Sequence, residues 1–418
     1  MNRKKNILQI SYHTCPLASE EGKESGGMNI YVNELSRHLA RVGHHVDVIT
    51  RYQSPTEEKI VEVEPGLRVI HLPAGPVSAI PKKELISYIP EFIQSFETWS
   101  AQENIHFDMI HSHYYQSGLI GLGINESLRE KLPMAMTFHT LALMKNLVAR
   151  SVEEQESDAR LDAEFRLTKE SSVIIAPSTS DAQYLRYLYG VPETNIVEIP
   201  PGVNTDIFQP VEKLCAKERL ALDRNEKIIL FVGRIEPLKG IDTLLYAIKI
   251  LRAQIPDVKL RLLIVGGDVS QHIDQWSTEL RELEQLRHTL DLSLHVDFVG
   301  RKMQHELVDY YNAADIVVMP SHYESFGMAA AEAMACGTPV ITTNVAGISS
   351  LIDSRRDTLI TTVNNPLLLA SQIRQLLTDP NLYERIRSRM IKNISALAWT
   401  TIAKKIDAVY TKYQNLTR

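Results

Sequence analysis

Cysteine is scarce. Cys15, Cys215 and Cys336 are the three in 418 residues, odd in number and far apart, which excludes a disulfide framework and a paired CxxC zinc site and fits a reducing cytoplasm. Positive charge is not in excess either: Lys+Arg 45 against Asp+Glu 51 leaves a net charge of −6, so no global basic field exists to hold a nucleic-acid backbone or an anionic membrane. Long hydrophobic runs are missing. The basic N-terminus MNRKKNILQIS alternates its short apolar run with polar residues, unlike the core of a secretory signal. No stretch approaches the about 18 apolar residues that a membrane-crossing helix needs, so no integral membrane contact is expected. Nothing repeats with a period of about 20 to 50 residues, which disfavours a solenoid. A GxGxxG fingerprint is absent, and Gly118, Gly121 and Gly123 are in the wrong order for one, which argues against a nicotinamide cofactor. No DxD carboxylate pair follows a strand, so a nucleotide diphosphate would lack its usual metal ligands. Cations and backbone groups would have to neutralise it.

What is present is enough apolar material, 44% of the chain, for two domains of about 200 residues each. Short β-rich runs alternate with stretches of helical period, the pattern of an α/β protein with parallel sheets covered by helices. In the first half the runs are Asn6 to Ser11, His45 to Thr50, Arg68 to Leu72, Asp108 to His113, Ala135 to His139, Val173 to Pro177 and Asn195 to Ile199. Met28, Tyr31, Val32, Leu35, Leu39 and Val42 form a helical stripe between the first two, stopped by Gly43. The pattern restarts with Lys227 to Val232, Lys259 to Val265, Val296 to Val299, Ile316 to Pro320 and Pro339 to Thr342, after a polar linker at Gln209 to Glu226. The expected organisation is a domain over 1–205, a second over 206–395, and a final amphipathic segment over 396–418 carrying Ile402, Ile406, Val409, Tyr410 and Tyr413. Open parallel sheets hold ligands at the carboxyl ends of their strands, so two such domains facing each other are expected to share a central cleft.

Several groups at strand ends could carry chemistry. Ser25-Gly26-Gly27-Met28-Asn29 precedes the first helix, where consecutive glycines admit a ligand close to the backbone and free N–H groups favour an anion or hydroxyls. In Gly233-Arg234-Ile235-Glu236-Pro237-Leu238-Lys239-Gly240 a forked guanidinium and an ammonium flank a turn and could both meet a diphosphate. Glu324, in Glu324-Ser325-Phe326-Gly327, stands in a turn. Glu332 follows on a helix of small residues, where a carboxylate is costly unless solvated or hydrogen-bonded; the alternatives are a ligand hydroxyl and a bond within the chain. His139 ends a strand in His139-Thr140-Leu141-Ala142, as a structural or a cleft-facing histidine. His111 and His113 point the same way on one strand but lack further metal ligands, and no metal site is expected.

Together and in this order, Ser25 to Asn29, His111-Ser-His-Tyr114, His139 to Ala142, Gly233 to Lys239 and Glu324-Ser-Phe-Gly327 to Glu332 make the chain resemble the retaining glycosyltransferases of family 4 over nearly its whole length. The likeness is greatest to the inositol-phosphate N-acetylglucosaminyltransferases of mycothiol synthesis and to sucrose-phosphate synthases. The resemblance implies the GT-B architecture, two Rossmann-like doubly wound domains around a cleft, with a last helix that returns to the first. It implies a nucleotide-sugar donor, UDP-linked, transferred to a small phosphorylated acceptor without cofactor or metal, self-association into a homodimer being left open. Gly26, Gly27, Arg234 and Lys239 would hold the diphosphate, Glu324, Ser325, Phe326 and Gly327 the sugar side, and Glu332 the ribose. His139, Arg234, Lys239 and Glu324 would act in catalysis. His13, Asn29, Lys82, Tyr114, Thr140 and Arg160 would surround the acceptor, with Lys82 and Arg160 on its phosphate. Val345 to Ser350 and Ser354-Arg355-Arg356-Asp357 depart from the glycine-rich stretches usual there. A sugar-nucleotide epimerase, a phosphorylase and a non-catalytic sugar-nucleotide-binding regulator are the rival readings.

Overall fold

The computed structural model describes residues 4–18, 26–269, 272–345, 347–351 and 359–416. Ser25, Ala346 and the departing stretch Ser354 to Asp357 lie outside them. Two compact units emerge: Met1–Leu143 with Glu156–Gly202 and Trp399–Arg418, and Met144–Gln155 with Val203–Ala398. Their boundaries fall at 202/203 and 398/399 rather than at 205/206 and 395/396. Trp399 belongs to the first unit because its indole lies against Gly202, where an added Cβ would come within 2.3 Å of the ring. Val203 belongs to the second because its N–H donates to the Leu397 carbonyl at 2.8 Å. The segment 144–155, expected in the first domain, goes with the second unit, where Arg150 pairs with Glu279 at 2.7 Å.

The first unit is built on an eight-stranded sheet: β1 (Asn6–Ile10), β2 (His45–Arg51), β3 (Ile60–Glu64), β4 (Leu67–Leu72), β5 (Met109–His113), β6 (Met134–Thr137), β7 (Val173–Ala176) and β8 (Ile196–Glu198), in the order 3-4-2-1-5-6-7-8. Ile7 faces Val46 on one side and Met109 on the other, in parallel register. Helices cover both faces of such a sheet, which is why its inner strands read as continuous apolar runs. The strand β3 departs from the expected pattern. It pairs antiparallel with β4 across Pro65-Gly66, and its alternation of Val61 and Val63 with Glu62 and Glu64 is that of a half-solvated edge.

The second unit holds β9 (Lys227–Val232), β10 (Leu260–Val265), β11 (Val296–Gly300), β12 (Ile316–Met319), β13 (Val340–Thr343) and the two-residue β14 (Ile360–Thr361), all parallel, in the order 11-10-9-12-13-14. The short β14 leaves too little pattern to be read from sequence. In each sheet the chain lays strands outward from one central strand and then returns to that strand's other side. The order therefore reverses between β1 and β5 in the first unit and between β9 and β12 in the second, the places where loops from neighbouring strands diverge and leave a crevice.

The final helix, Trp399–Leu416, packs on the first unit through Trp399, Ile402, Ile406, Val409, Tyr410 and Tyr413, its apolar stripe. Among these side chains lies an ion pair: Lys5 Nζ meets Asp407 Oδ1 at 2.6 Å, 2% and 9% exposed, and donates to Thr411 Oγ1 at 2.9 Å. His44 Nε2 approaches the same carboxylate at 3.0 Å. Asp407→Ala would leave the buried ammonium uncompensated and is expected to destabilise the first unit by about 3–5 kcal/mol in denaturant unfolding. Breaking the exposed Arg166–Glu170 pair should cost under about 0.5 kcal/mol. Equal losses would refute the pairing argument.

Candidate functional site

At the reversal point of the first sheet, His13 follows β1, Tyr114 follows β5, and their rings lie 4.8 Å apart. Tyr114 and His139 leave their strands in the left-handed region, at φ +74 and +63. That conformation costs a non-glycine residue about 1–3 kcal/mol and persists where surrounding structure over-determines it. The Lys82 ammonium lies 3.9 Å and the Arg160 guanidinium carbon 4.7 Å from the centroid of the Tyr114 ring. Gln116 fixes the backbone at Lys82 by donating to its carbonyl at 2.8 Å.

Arg160, on the helix Asp158–Glu170, is 1% exposed. It donates from Nε to Glu164 Oε1 at 2.8 Å, and from NH2 to Thr140 O at 2.9 Å and Thr140 Oγ1 at 3.1 Å. Its NH1 pairs with Glu156 at 2.8 Å. His13, Lys82, Tyr114, Thr140 and Arg160 thus form one cluster. Asn29 stands beside it as a tie between loop and helix: Nδ2 donates to Thr14 Oγ1 and to Cys15 O, both at 2.6 Å, while Oδ1 accepts the Gly26 N–H at 3.3 Å. Gly26 is extended at φ −159, and a Cβ there would meet nothing within 4 Å. No internal packing therefore demands glycine at 26, and Gly27 begins the helix Gly27–Arg41.

Three further histidines, His111, His113 and His139, adjoin this cluster. With the Gln9 amide oxygen facing it, His113 Nε2 donates to Gln9 Oε1 at 3.1 Å, so its Nδ1 accepts from His139 Nε2 at 3.1 Å. His139 then carries its proton on Nε2 and its lone pair on Nδ1. Tyr31 packs edge-on against both rings. His111 spends both ring nitrogens, sharing hydrogen bonds with the Tyr410 hydroxyl at 2.6 Å and the Thr137 hydroxyl at 2.9 Å. Burial pushes His139 and His111 down to about 3, assisted by Lys82 for the first and by His139 for the second. Burial also holds His113 well below its ordinary value, with His111 and His139 adding to the effect. His13 is lowered by burial first, then by the charges of Lys82, His139 and Arg160, and its Nδ1 has no hydrogen-bond partner among the described residues.

At the reversal point of the second sheet, Lys239 follows β9, Glu324 follows β12, and Nζ meets Oε2 at 2.5 Å with 11% and 16% exposed. Two backbone features bring the loops together. Gly240 adopts φ +65 so close to β12 that a Cβ would lie 2.3 Å from the Pro320 carbonyl, and His322 N donates to Leu238 O at 2.8 Å. A side chain at 240 would force the pair apart. Arg234 is 59% exposed and pairs with Glu236 at 2.6 Å. Neither cation of the expected diphosphate cradle stands alone, and Lys239 is buried. Ser325 and Phe326 are buried, and Gly327 at φ +102 starts the helix Met328–Ala335. Glu332 on that helix is 5% exposed, and its Oε2 accepts the Tyr311 hydroxyl at 2.7 Å. A bond within the chain, one of the two alternatives open from the sequence, is thus present at Glu332.

Gln9, Gln116, Tyr311, Glu156 and Glu164 were not singled out in the sequence. For the last two a signal exists, since Glu156, Arg160 and Glu164 are spaced four apart, the interval at which helical side chains meet. Among the described residues no group of three His, Cys, Asp or Glu is placed to hold a metal, and no helix is long and apolar enough to cross a membrane.

Residues 25–207 match the family described as Glycosyltransferase Family 4, and residues 215–393 the one described as Glycosyl transferases group 1. The chain is 33% identical over 413 residues to a D-inositol 3-phosphate glycosyltransferase of Thermobispora bispora, covering 98% of this chain and 95% of that one. It is 31% identical to one of Corynebacterium diphtheriae, covering 97% and 94%. Among solved structures, sucrose-phosphate synthase from Thermosynechococcus elongatus superposes with a TM-score of 0.87 at 33% identity, covering 98% of this chain and 99% of that one.

The buried neutral histidines make stability depend on acid. Their folded pKa lies below the unfolded value of about 6.5, so below that pH the unfolded chain binds the extra protons and stability falls, down to about 3 for His111. Each such histidine contributes a slope of about 1.4 kcal/mol per pH unit in that window. Unfolding midpoints of His111→Gln should therefore fall less steeply than those of the parent between about pH 6 and 4; parallel curves would refute this.

Proposed function

This chain belongs to glycosyltransferase family 4, and on that premise we propose that it moves a hexosyl unit from a nucleoside-diphosphate sugar, UDP-linked, to a hydroxyl of a small phosphorylated polyol such as inositol phosphate. The transfer retains the anomeric configuration, needs no metal and takes place in the cytoplasm. The observation that carries the acceptor reading is the cluster of Lys82, Tyr114, Thr140 and Arg160 beside neutral His13. Two cations pack against one aromatic ring, and a guanidinium fork and an ammonium are the donors that a partly buried phosphate needs. Hydroxyl-bearing and neutral-imidazole neighbours suit the polyol that carries it. The likeness to sucrose-phosphate synthase favours a second reading with the same logic, in which the acceptor is a hexose phosphate.

On the donor side, Lys239 and Arg234 follow the central strand of the second sheet and are the groups proposed to receive the diphosphate. As the bond from anomeric carbon to diphosphate oxygen breaks, the ring gains oxocarbenium character and negative charge grows on the leaving phosphate. Fixed cations aimed at that charge lower the barrier. The acceptor oxygen bonds to the same face of the sugar, and its proton passes to the departing phosphate oxygen. His139 takes no part as a base: with Nε2–H held by His113, its Nδ1 can accept a hydroxyl of the donor sugar and orient it. Glu324 is proposed to move from Lys239 to the sugar hydroxyls when the diphosphate claims the ammonium, and Glu332 to meet the ribose.

Incubation with UDP-hexoses and inositol phosphate or fructose 6-phosphate, with the product read by mass spectrometry and its anomeric coupling by NMR, tests the reading. An inverted product, an isomerised donor formed without acceptor, or loss of turnover in EDTA would each overturn the corresponding part.

Arg234→Ala should lower kcat/KM by about a hundredfold or more with little change in thermal midpoint, because its pair with Glu236 is exposed. Lys239→Ala should lose both activity and stability, since it strands Glu324 in a mostly buried place. Lys239→Ala/Glu324→Ala should recover stability without activity. A double variant no more stable than the single one would contradict this.

A further inference from the structure

The two carboxylates on Arg160 are not equivalent. Glu164 is fully buried, and its second oxygen accepts the Ala142 N–H at 2.9 Å and the Tyr189 hydroxyl at 2.6 Å, so it belongs to the frame. Glu156 lies before Ser157, the residue that caps the helix Asp158–Glu170. It is 18% exposed while holding Arg160 NH1 at 2.8 Å. Of the two carboxylates on this buried guanidinium it alone retains exposure. Charge adds a second consideration: Lys82 and Arg160 against Glu156 and Glu164 sum to zero, and His13 is held neutral. A phosphate dianion would meet a neutral cluster for as long as Glu156 stays. Withdrawing Glu156 leaves one net positive charge and opens NH1.

We propose that Glu156 is an internal occupant of the acceptor's phosphate seat, displaced from Arg160 NH1 by the incoming phosphate, and that this exchange selects phosphorylated acceptors over neutral polyols. The inference rests on the phosphorylated-acceptor reading above. A carboxylate brings one negative charge, whereas a phosphate brings up to two and can engage Arg160, Lys82 and the Thr140 hydroxyl together. Phosphate can therefore outcompete the tethered carboxylate, and a neutral hydroxyl cannot. With Glu156 seated, NH1 keeps an acceptor between turnovers, while Glu164 holds Nε throughout. An occupant that must be displaced lowers apparent affinity by the fraction of time the seat is vacant.

Calorimetric titration of the full chain with inositol phosphate, and separately with free inositol, tests this in the parent, Glu156→Gln and Glu156→Asp. Glutamine removes the charge, and aspartate keeps it but shortens its reach. Both variants should bind inositol phosphate more tightly, the Gln variant roughly tenfold if the seat is occupied about nine-tenths of the time, with free inositol unchanged. If the parent binds inositol phosphate and both variants bind it equally or more weakly, the occupant is refuted while the phosphorylated-acceptor reading stands. A drop in thermal midpoint without a change in phosphate affinity assigns Glu156 to the frame and likewise refutes it. If the parent itself does not distinguish inositol phosphate from free inositol, the acceptor reading fails and this proposal fails with it.

Discussion

Lys5, Arg160 and Lys239 are taken out of water by the fold, and each is met by a carboxylate within 2.8 Å: Asp407, Glu164 with Glu156, and Glu324. An uncompensated ion in these places would cost several kcal/mol, so the partner is a condition of the fold rather than an addition to it. The consequence reaches function. Cations that suit phosphate and diphosphate are already neutralised, and in the reading proposed above an anionic ligand binds by exchanging with a carboxylate of the chain. Affinity then reports a difference between two ion pairs, and this favours ligands that bring more charge and more acceptor oxygens than a carboxylate does.

The geometry that makes this possible is the same in both units. Each parallel sheet reverses its strand order once, between β1 and β5 or between β9 and β12, and the loops that diverge there carry His13 and Tyr114 in one unit, Lys239 and Glu324 in the other. Burial holds His13, His111, His113 and His139 neutral. That permits hydrogen bonds of fixed direction among Gln9, His113 and His139, where protonated rings would repel one another.

Much of this is legible in the chain alone. The inner strands announce themselves as apolar runs, and the helix Gly27–Arg41 by its stripe and the glycine after it. The order of motifs from Gly26 to Glu332 identified the family. What escaped has physical reasons. The edge strand β3 is half charged because half of it faces water, and β14 is two residues long. The segment 144–155 joins the second unit through the Arg150–Glu279 pair, formed by residues far apart in sequence. The roles of Gln9, Gln116 and Tyr311 depend on partners that no local pattern specifies.

The sequence by itself placed His139, Arg234, Lys239 and Glu324 after strands, because alternation and apolar period are local properties of the chain, and the groups assigned to the acceptor came from the family resemblance. Which of those groups stand ready and which are already engaged was decided only by tertiary structure. Tyr311 reaches Glu332, Glu324 reaches Lys239, and Glu156 covers Arg160. The energy of a buried charge depends on whatever lies within a few ångströms of it, and the folded chain, more than the order of its residues, sets that distance.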